Sequence, residues 1–338
     1  MENSALDRKV DYSNFYDNYH GHLVKDLSTV HEACRTTAGS HFVFLAGDST
    51  LDNKFWFRNR SPACNGYERI LSPPFSIQDV CYWLNFLLEN NSLGRNFVAL
   101  NCAVEESTLG ARSCARLLPQ DKFIRNTVTQ NDVLVVSVGG NDVALKPSCC
   151  TALNMLSLVC LASTSCIESM SCGSAFSCRD DAWGCSFGCL SSMVAFPPGL
   201  GYFIHLFSTQ LQDYILNLTA LKRPKLILVC MVYYLDEKST GSWADNTLGI
   251  LGYNRNPRKL QAVIKKIYEL AVKSISIPGT KVVAVPLFSA LDGTNTSDYV
   301  QRVEPSAAGG RKIAELLIEY IRNNYPGLQS TQQINPLF

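Results

Sequence analysis

Five short apolar runs, at residues 42–46, 97–101, 133–138, 226–231 and 282–285, constrain this chain more than any other feature. Each is aliphatic, aromatic or β-branched, so each reads as a strand covered on both faces. Helical patterns lie between them. Residues 80–88 are apolar with the aromatic pair Tyr82 and Trp83. Leu260, Val263, Ile264, Ile267 and Ala271 form a stripe of helical period, and so do Ile313, Leu316, Leu317, Tyr320 and Ile321. Strand–helix alternation of this kind predicts an α/β fold with a doubly wound parallel sheet and right-handed crossovers.

With 338 residues, 46% of them hydrophobic, the chain can bury a substantial core. Neither an internal repeat nor a strong linker divides it, which predicts one domain over residues 41–330. Two parts stand outside the alternation: a polar, mostly helical leader at 1–40, and an insertion at 147–200 that is longer than connections usually run. Net charge is +1 and basic residues form no long run, so neither nucleic acid nor an anionic membrane is an expected partner. Residues 1–17 lack the apolar core of a secretory signal, and no run reaches the ~20 apolar residues of a membrane span. The expectation is a soluble, cytoplasmic protein. Its oligomeric state is open.

Chemistry-bearing residues gather where the runs end. The first run stops in Gly47-Asp48-Ser49, which places a hydroxyl at the carboxyl edge of the sheet, where open α/β folds bind ligands. A nucleophile needs that position, with backbone N–H groups nearby. Alone, the tripeptide also fits an ordinary turn with Asp48 or Ser49 as helix N-cap. After the third run comes Gly139-Gly140-Asn141-Asp142, whose Asn141 can offer an amide N–H to a developing oxyanion, although it also fits a simple turn. The second run leads into Val104-Glu105-Glu106-Ser107. The fifth leads through Asp298-Tyr299-Val300-Gln301-Arg302-Val303-Glu304-Pro305-Ser306 into the last helix.

Gly-Asp-Ser, then Gly-Gly-Asn-Asp, then an acid-containing block before a C-terminal helix resembles the SGNH/GDSL hydrolase superfamily over most of residues 40–325, the insertion apart. The resemblance implies a three-layer α/β/α sandwich with a five-stranded parallel sheet, flavodoxin-like in kind. It implies esterase, lipase, thioesterase or carbohydrate deacetylase activity on a lipid, carbohydrate or small-molecule ester. Carried over, Ser49 is the nucleophile, the Ser49 N–H and Asn141 beside Gly140 form the oxyanion hole, and Asp48 has no catalytic role. The family's second block supplies a glycine N–H, and here Glu106 or Glu105 stands in that place. In the last block the family has Asp-x-x-His, with the histidine as general base. Here Glu304 stands in the His position and Gln301 in the Asp position, and no histidine follows His205.

Three readings follow. Glu304 activates Ser49 itself, together with Asp298. Alternatively His205 supplies the imidazole, with Glu304 as its acid, while His20 and His22 are weaker sources. In the third reading the site only binds. A working hydrolase with a non-standard base is the first reading. A catalytically impaired binding protein and an O-acyltransferase are the alternatives.

Eight of the fourteen cysteines fall between Cys149 and Cys189. Their spacing lacks the paired C-x-x-C of a zinc ribbon. Free thiols in a lid beside the site are the expectation, and no cofactor or metal is implied. Tyr233 and Tyr234 follow the fourth run; they can line an acyl or sugar pocket, but aromatic packing at a strand end is their first reading. Trp243, Asp245 and Tyr253, in a polar loop on the same edge, are candidates for substrate binding.

Overall fold

The computed structural model describes residues 9–38, 40–90, 97–169 and 197–325. It is an α/β/α sandwich around one parallel sheet. The five strands are β1 (His41–Gly47), β2 (Phe97–Asn101), β3 (Val133–Ser137), β4 (Leu226–Met231) and β5 (Lys281–Pro286), in the order β2-β1-β3-β4-β5. All neighbours pair in parallel. This is the flavodoxin-like order, whose switch point falls between β1 and β3.

The apolar runs fill both layers because successive side chains point to opposite faces. Phe42, Phe44 and Ala46 face one layer, with Leu134, Val136, Ile227 and Val229. Val43 and Leu45 face the other, with Val133, Val135, Leu226 and Leu228. The first layer packs against α1 (Val24–Ala38), α3 (Pro119–Thr127), α4 (Cys149–Leu161), α5 (Leu200–His205), α6 (Leu211–Leu218) and α7 (Pro257–Leu270). The second packs against α2 (Val80–Asn90) and α8 (Ala307–Asn324). Both stripes expected from the sequence fall on helices, α7 and α8. Proline opens α3 and α7, where its missing N–H costs no bond.

The segment expected to be a polar leader contributes apolar side chains to the first layer: Tyr12, Phe15, Tyr16, Leu27 and Val30 are buried there. His22 is buried too, stacked on Phe15 at 3.9 Å between ring centroids, with its Nδ1 2.7 Å from the Phe15 carbonyl. Of the insertion, residues 170–196 lie outside the described residues, and with them Cys172, Cys178, Cys185 and Cys189. Cys149, Cys160 and Cys166 are free thiols. Among the described residues, no helix is long and apolar enough to cross a membrane.

Candidate active site

Three strand tips converge at the switch point. Beyond the ladder, Asp48 N–H donates to the Ser137 carbonyl at 3.0 Å, and Val104 N–H donates to the Gly47 carbonyl at 3.0 Å. These bonds bring the segments after β3 and β2 alongside Asp48-Ser49. Only glycine fits position 47. Its φ is +138°, and a Cβ there would sit 1.7 Å from the Ser137 oxygen. The Gly47 carbonyl also accepts from Ser107 Oγ (2.9 Å) and from Arg112 Nη2 (3.2 Å). Arg112 is itself buried and paired with Asp121 at 2.9 Å. The turn that carries Ser49 is therefore held from several sides.

Asn141 lies in the short helix Gly140–Ala144. Asp142 fixes that helix by accepting from the N–H groups of Leu109 (2.7 Å) and Gly110 (2.9 Å). Asn141 Nδ2 donates to the Ser107 carbonyl at 3.1 Å. An amide nitrogen carries two hydrogens, so one remains for another acceptor. Glu106 adopts φ +57°, the left-handed conformation that glycine favours. Its carboxylate accepts from Tyr19 Oη (2.8 Å) and from Lys146 Nζ (3.2 Å).

The last block arrives on a hairpin. Val300 pairs with Glu304 and Tyr299 with Pro305. Gln301 and Arg302, at its bend, both have positive φ, +52° and +69°. Such residues cost of order 1–3 kcal/mol each and persist only where their surroundings hold them. Arg302 supplies that hold. Its buried guanidinium donates to Asp245 Oδ1 (2.5 Å), Asn254 Oδ1 (2.9 Å) and the Asp236 carbonyl (3.0 Å). On the other side of the hairpin, Tyr233 Oη donates to the Val303 carbonyl (2.6 Å) and Asn53 Nδ2 to the Pro305 carbonyl (3.0 Å).

So clamped, Glu304 reaches the serine: Ser49 Oγ donates to Glu304 Oε1 at 3.2 Å, with both residues 7% exposed. The other carboxyl oxygen, Oε2, is buried without a hydrogen-bond partner. Burial, then the neighbouring Asp48 charge, push Glu304 up to about 8; the Ser49 bond opposes them, and the Asp52 charge adds a smaller push upward. Glu105 is also buried beside it, with an unpartnered Oε2, and burial and the Glu304 charge raise it higher still. Burial raises Asp48 to about 6. Asp52 bonds Lys54 with one oxygen (2.6 Å) and the Glu105 N–H with the other (3.0 Å), which ties the second tip to the segment after Ser49.

The other expected residues lie elsewhere. Asp298 bonds Lys312 Nζ at 2.6 Å. His205 ends α5 and is not among the residues lining the cavity at Ser49, whereas Phe203 and Phe207 on either side of it are. His20 Nδ1 lies 3.5 Å from the Glu105 carbonyl. Among the described residues, no group of three or more His, Cys, Asp or Glu side chains is arranged to hold a metal ion.

Ser49, Asn141, Glu304 and Glu106 border one cavity of about 350 Å³. Tyr19 and Trp56 border it too. Sequence reasoning assigned Tyr19 no part in the site, and its only signal was an aromatic residue two places before Gly21, a turn glycine with φ +79°. The remaining wall comes from α7, from α4 through Met155, from Tyr233 and Trp243, and from the short helix Asp245–Ile250 through Leu248.

No family model matches this chain, and no curated protein matches it. Among solved structures it is similar to the acetylxylan esterase Axe2 of Geobacillus stearothermophilus, at 13% identity and a TM-score of 0.44, over 84% of this chain and 94% of that one. It is similar to a family 3 carbohydrate esterase of Clostridium thermocellum, at 14% identity and a TM-score of 0.41, over 86% and 98%. A lipase/acylhydrolase of Enterococcus faecalis matches at 10% identity and a TM-score of 0.37, over 84% and 96%.

Proposed function

We propose that this chain is a serine ester hydrolase of the SGNH/GDSL type in which Glu304 does the work of the usual histidine. The observation that carries the proposal is the 3.2 Å bond from Ser49 Oγ to Glu304 Oε1. An ordinary carboxylate, with a pKa of about 4.3, is a poor base toward a serine hydroxyl at neutral pH. Burial that moves Glu304 to about 8 brings it closer to the working range than an unshifted carboxylate would be.

Ionised Glu304 takes the Ser49 proton as Oγ attacks the ester carbonyl carbon. The carbonyl π pair moves onto oxygen, and the Ser49 N–H, the Glu106 N–H and Asn141 Nδ2 hold the resulting oxyanion. One such donor is worth about 10²–10³ in turnover. As the tetrahedral intermediate collapses, the C–O bond to the alcohol breaks and the alkoxide leaves with the proton from Glu304. Water then attacks the acyl carbon as Glu304 takes its proton; the acyl C–Oγ bond breaks as Glu304 returns that proton to Ser49 Oγ, which releases the acid and restores Ser49. Gly140 acts through the backbone, by setting the start of the helix that carries Asn141. Asp298 secures the base of the hairpin through Lys312 rather than touching the reacting atoms.

A fluorophosphonate probe at pH 9 tests the reading. It should label the wild type and fail on Ser49→Ala. No labelling of Ser49 at any pH would overturn the hydrolase and leave a binding protein of the same fold.

A further inference from the structure

We infer that the cavity at Ser49 takes an unbranched aliphatic acyl chain, so that the enzyme's esters carry a medium-length fatty acyl group rather than an acetyl group. The inference rests on Ser49 being the acyl acceptor, and it names the substrate class of that site.

The stripe Leu260, Val263, Ile264 and Ile267 on α7 would ordinarily be read as core. None of these residues is more than 8% exposed, yet all four border the cavity instead of being covered by other side chains alone. Met155, Phe203, Phe207 and Leu248 border the same cavity. The polar members of the wall come from the strand tips, the catalytic hairpin and Tyr19, Trp56, Trp243 and Thr247. Among the described residues, the helix walls are otherwise aliphatic or aromatic. Water needs two to four polar partners to be held in a cavity, and those apolar walls offer none. An apolar void also forfeits dispersion contacts along its whole lining. A chain of methylene groups supplies what both arguments require: it makes the missing contacts and asks for no hydrogen bond. An acetyl group has a single methyl and would leave these walls unfilled.

The two ends of such a substrate then have separate places. The carbonyl sits among Ser49, Asn141 and the Glu106 N–H, and the chain runs along α7.

A series of p-nitrophenyl esters from acetate to decanoate tests this at pH 9. The expected result is a kcat/KM that climbs by about fourfold per methylene until the cavity is filled. In Ile264→Phe and Leu248→Phe, which place a ring in the cavity, the octanoate-to-acetate ratio should fall by about tenfold. Acetate cleaved as well as or better than octanoate by the wild type would overturn the inference and leave the hydrolase reading intact. If no ester is cleaved and the phosphonate does not react, the hydrolase reading fails. Calorimetry on Ser49→Ala then decides the chain site alone, using 2-undecanone, a neutral uncleavable isostere, against 2-butanone. Saturable binding of 2-undecanone that weakens in Ile264→Phe supports it. Equal binding of the two ketones, or of neither, overturns it.

Discussion

Ser49 and Glu304 are 255 positions apart in the chain, yet the hydroxyl of one donates to the carboxyl of the other at 3.2 Å. The contact forms at the carboxyl edge of the sheet, with both groups almost fully withdrawn from water. A buried carboxyl is held closer to neutral, so its protonation state decides whether that contact can take a proton.

The rate should therefore rise with pH. Only ionised Glu304 can accept the Ser49 proton, so kcat/KM should climb through an apparent pKa of about 8 and level off above it. Glu304→Gln should lower turnover by ~10²-fold or more, and His205→Ala should stay within about twofold. A pH–rate profile governed by a group near 6.5 and abolished in His205→Ala would assign the base to the imidazole instead.

Asp48→Asn should move that limb toward lower pH. Asp48 is the foremost charge raising Glu304, after burial itself. Asparagine keeps an oxygen for the Thr50 N–H, which Asp48 Oδ1 accepts at 3.1 Å, so the turn should survive. The limb should stay above the ordinary carboxylate range, because burial remains. The pH profile of the variant reads this directly.

Glu304 should also make the fold less stable in alkali. Its folded pKa is raised above the unfolded value, so the folded state holds the proton more tightly. Its contribution is fully present below the ordinary carboxylate pKa and is lost as pH rises through about 8. Glu304→Gln has no such loss. Thermal melts of the two proteins should diverge as pH rises from 5 to 9, with the variant the more stable at the alkaline end.

Gly47→Ala should cost about 4 kcal/mol or more in stability, because the new Cβ would overlap the Ser137 carbonyl. Gly241→Ala is the control. Its φ is +78° but nothing lies within 4 Å of the new atom, so only the conformational cost of about 1 kcal/mol applies. Urea unfolding of both variants separates backbone conformation from steric overlap.

Arg302→Lys should lower kcat by about 10²-fold while KM changes little. Lysine keeps the charge but cannot hold Asp245, Asn254 and the Asp236 carbonyl at once. The hairpin would loosen and Glu304 would lose its place beside Ser49. A variant with wild-type kcat would show that the Asn53 and Tyr233 clamps suffice.

Much of the frame is legible in the amino-acid sequence. The apolar runs are the five strands, with ends shifted by a residue or so; four of them are buried on both faces and leave no polar alternation to misread, while the edge strand β5 is only partly buried. Ser49 and Asn141 are legible because tips of neighbouring parallel strands must share an edge. Tyr19 is not. It reaches the site because its segment packs against the strand tips, and no periodicity in residues 1–40 encodes that contact. Glu106 is legible as a position, but its left-handed backbone is hidden under a residue type that seldom adopts it.

The sequence alone determined the sheet, the faces of its helices and the serine at the switch point, because hydrophobic periodicity records which side chains leave water. Tertiary structure decided the rest. The stripe on α7 looks the same in sequence whether it meets side chains or an empty cavity, since both remove it from solvent. The proximity of Glu304 to Ser49 depends on a bend held by Arg302, whose partners Asp236, Asp245 and Asn254 lie more than forty residues earlier. The pKa of Glu304 depends on desolvation and on the charges of Asp48 and Asp52, which the chain assembles around it only on folding.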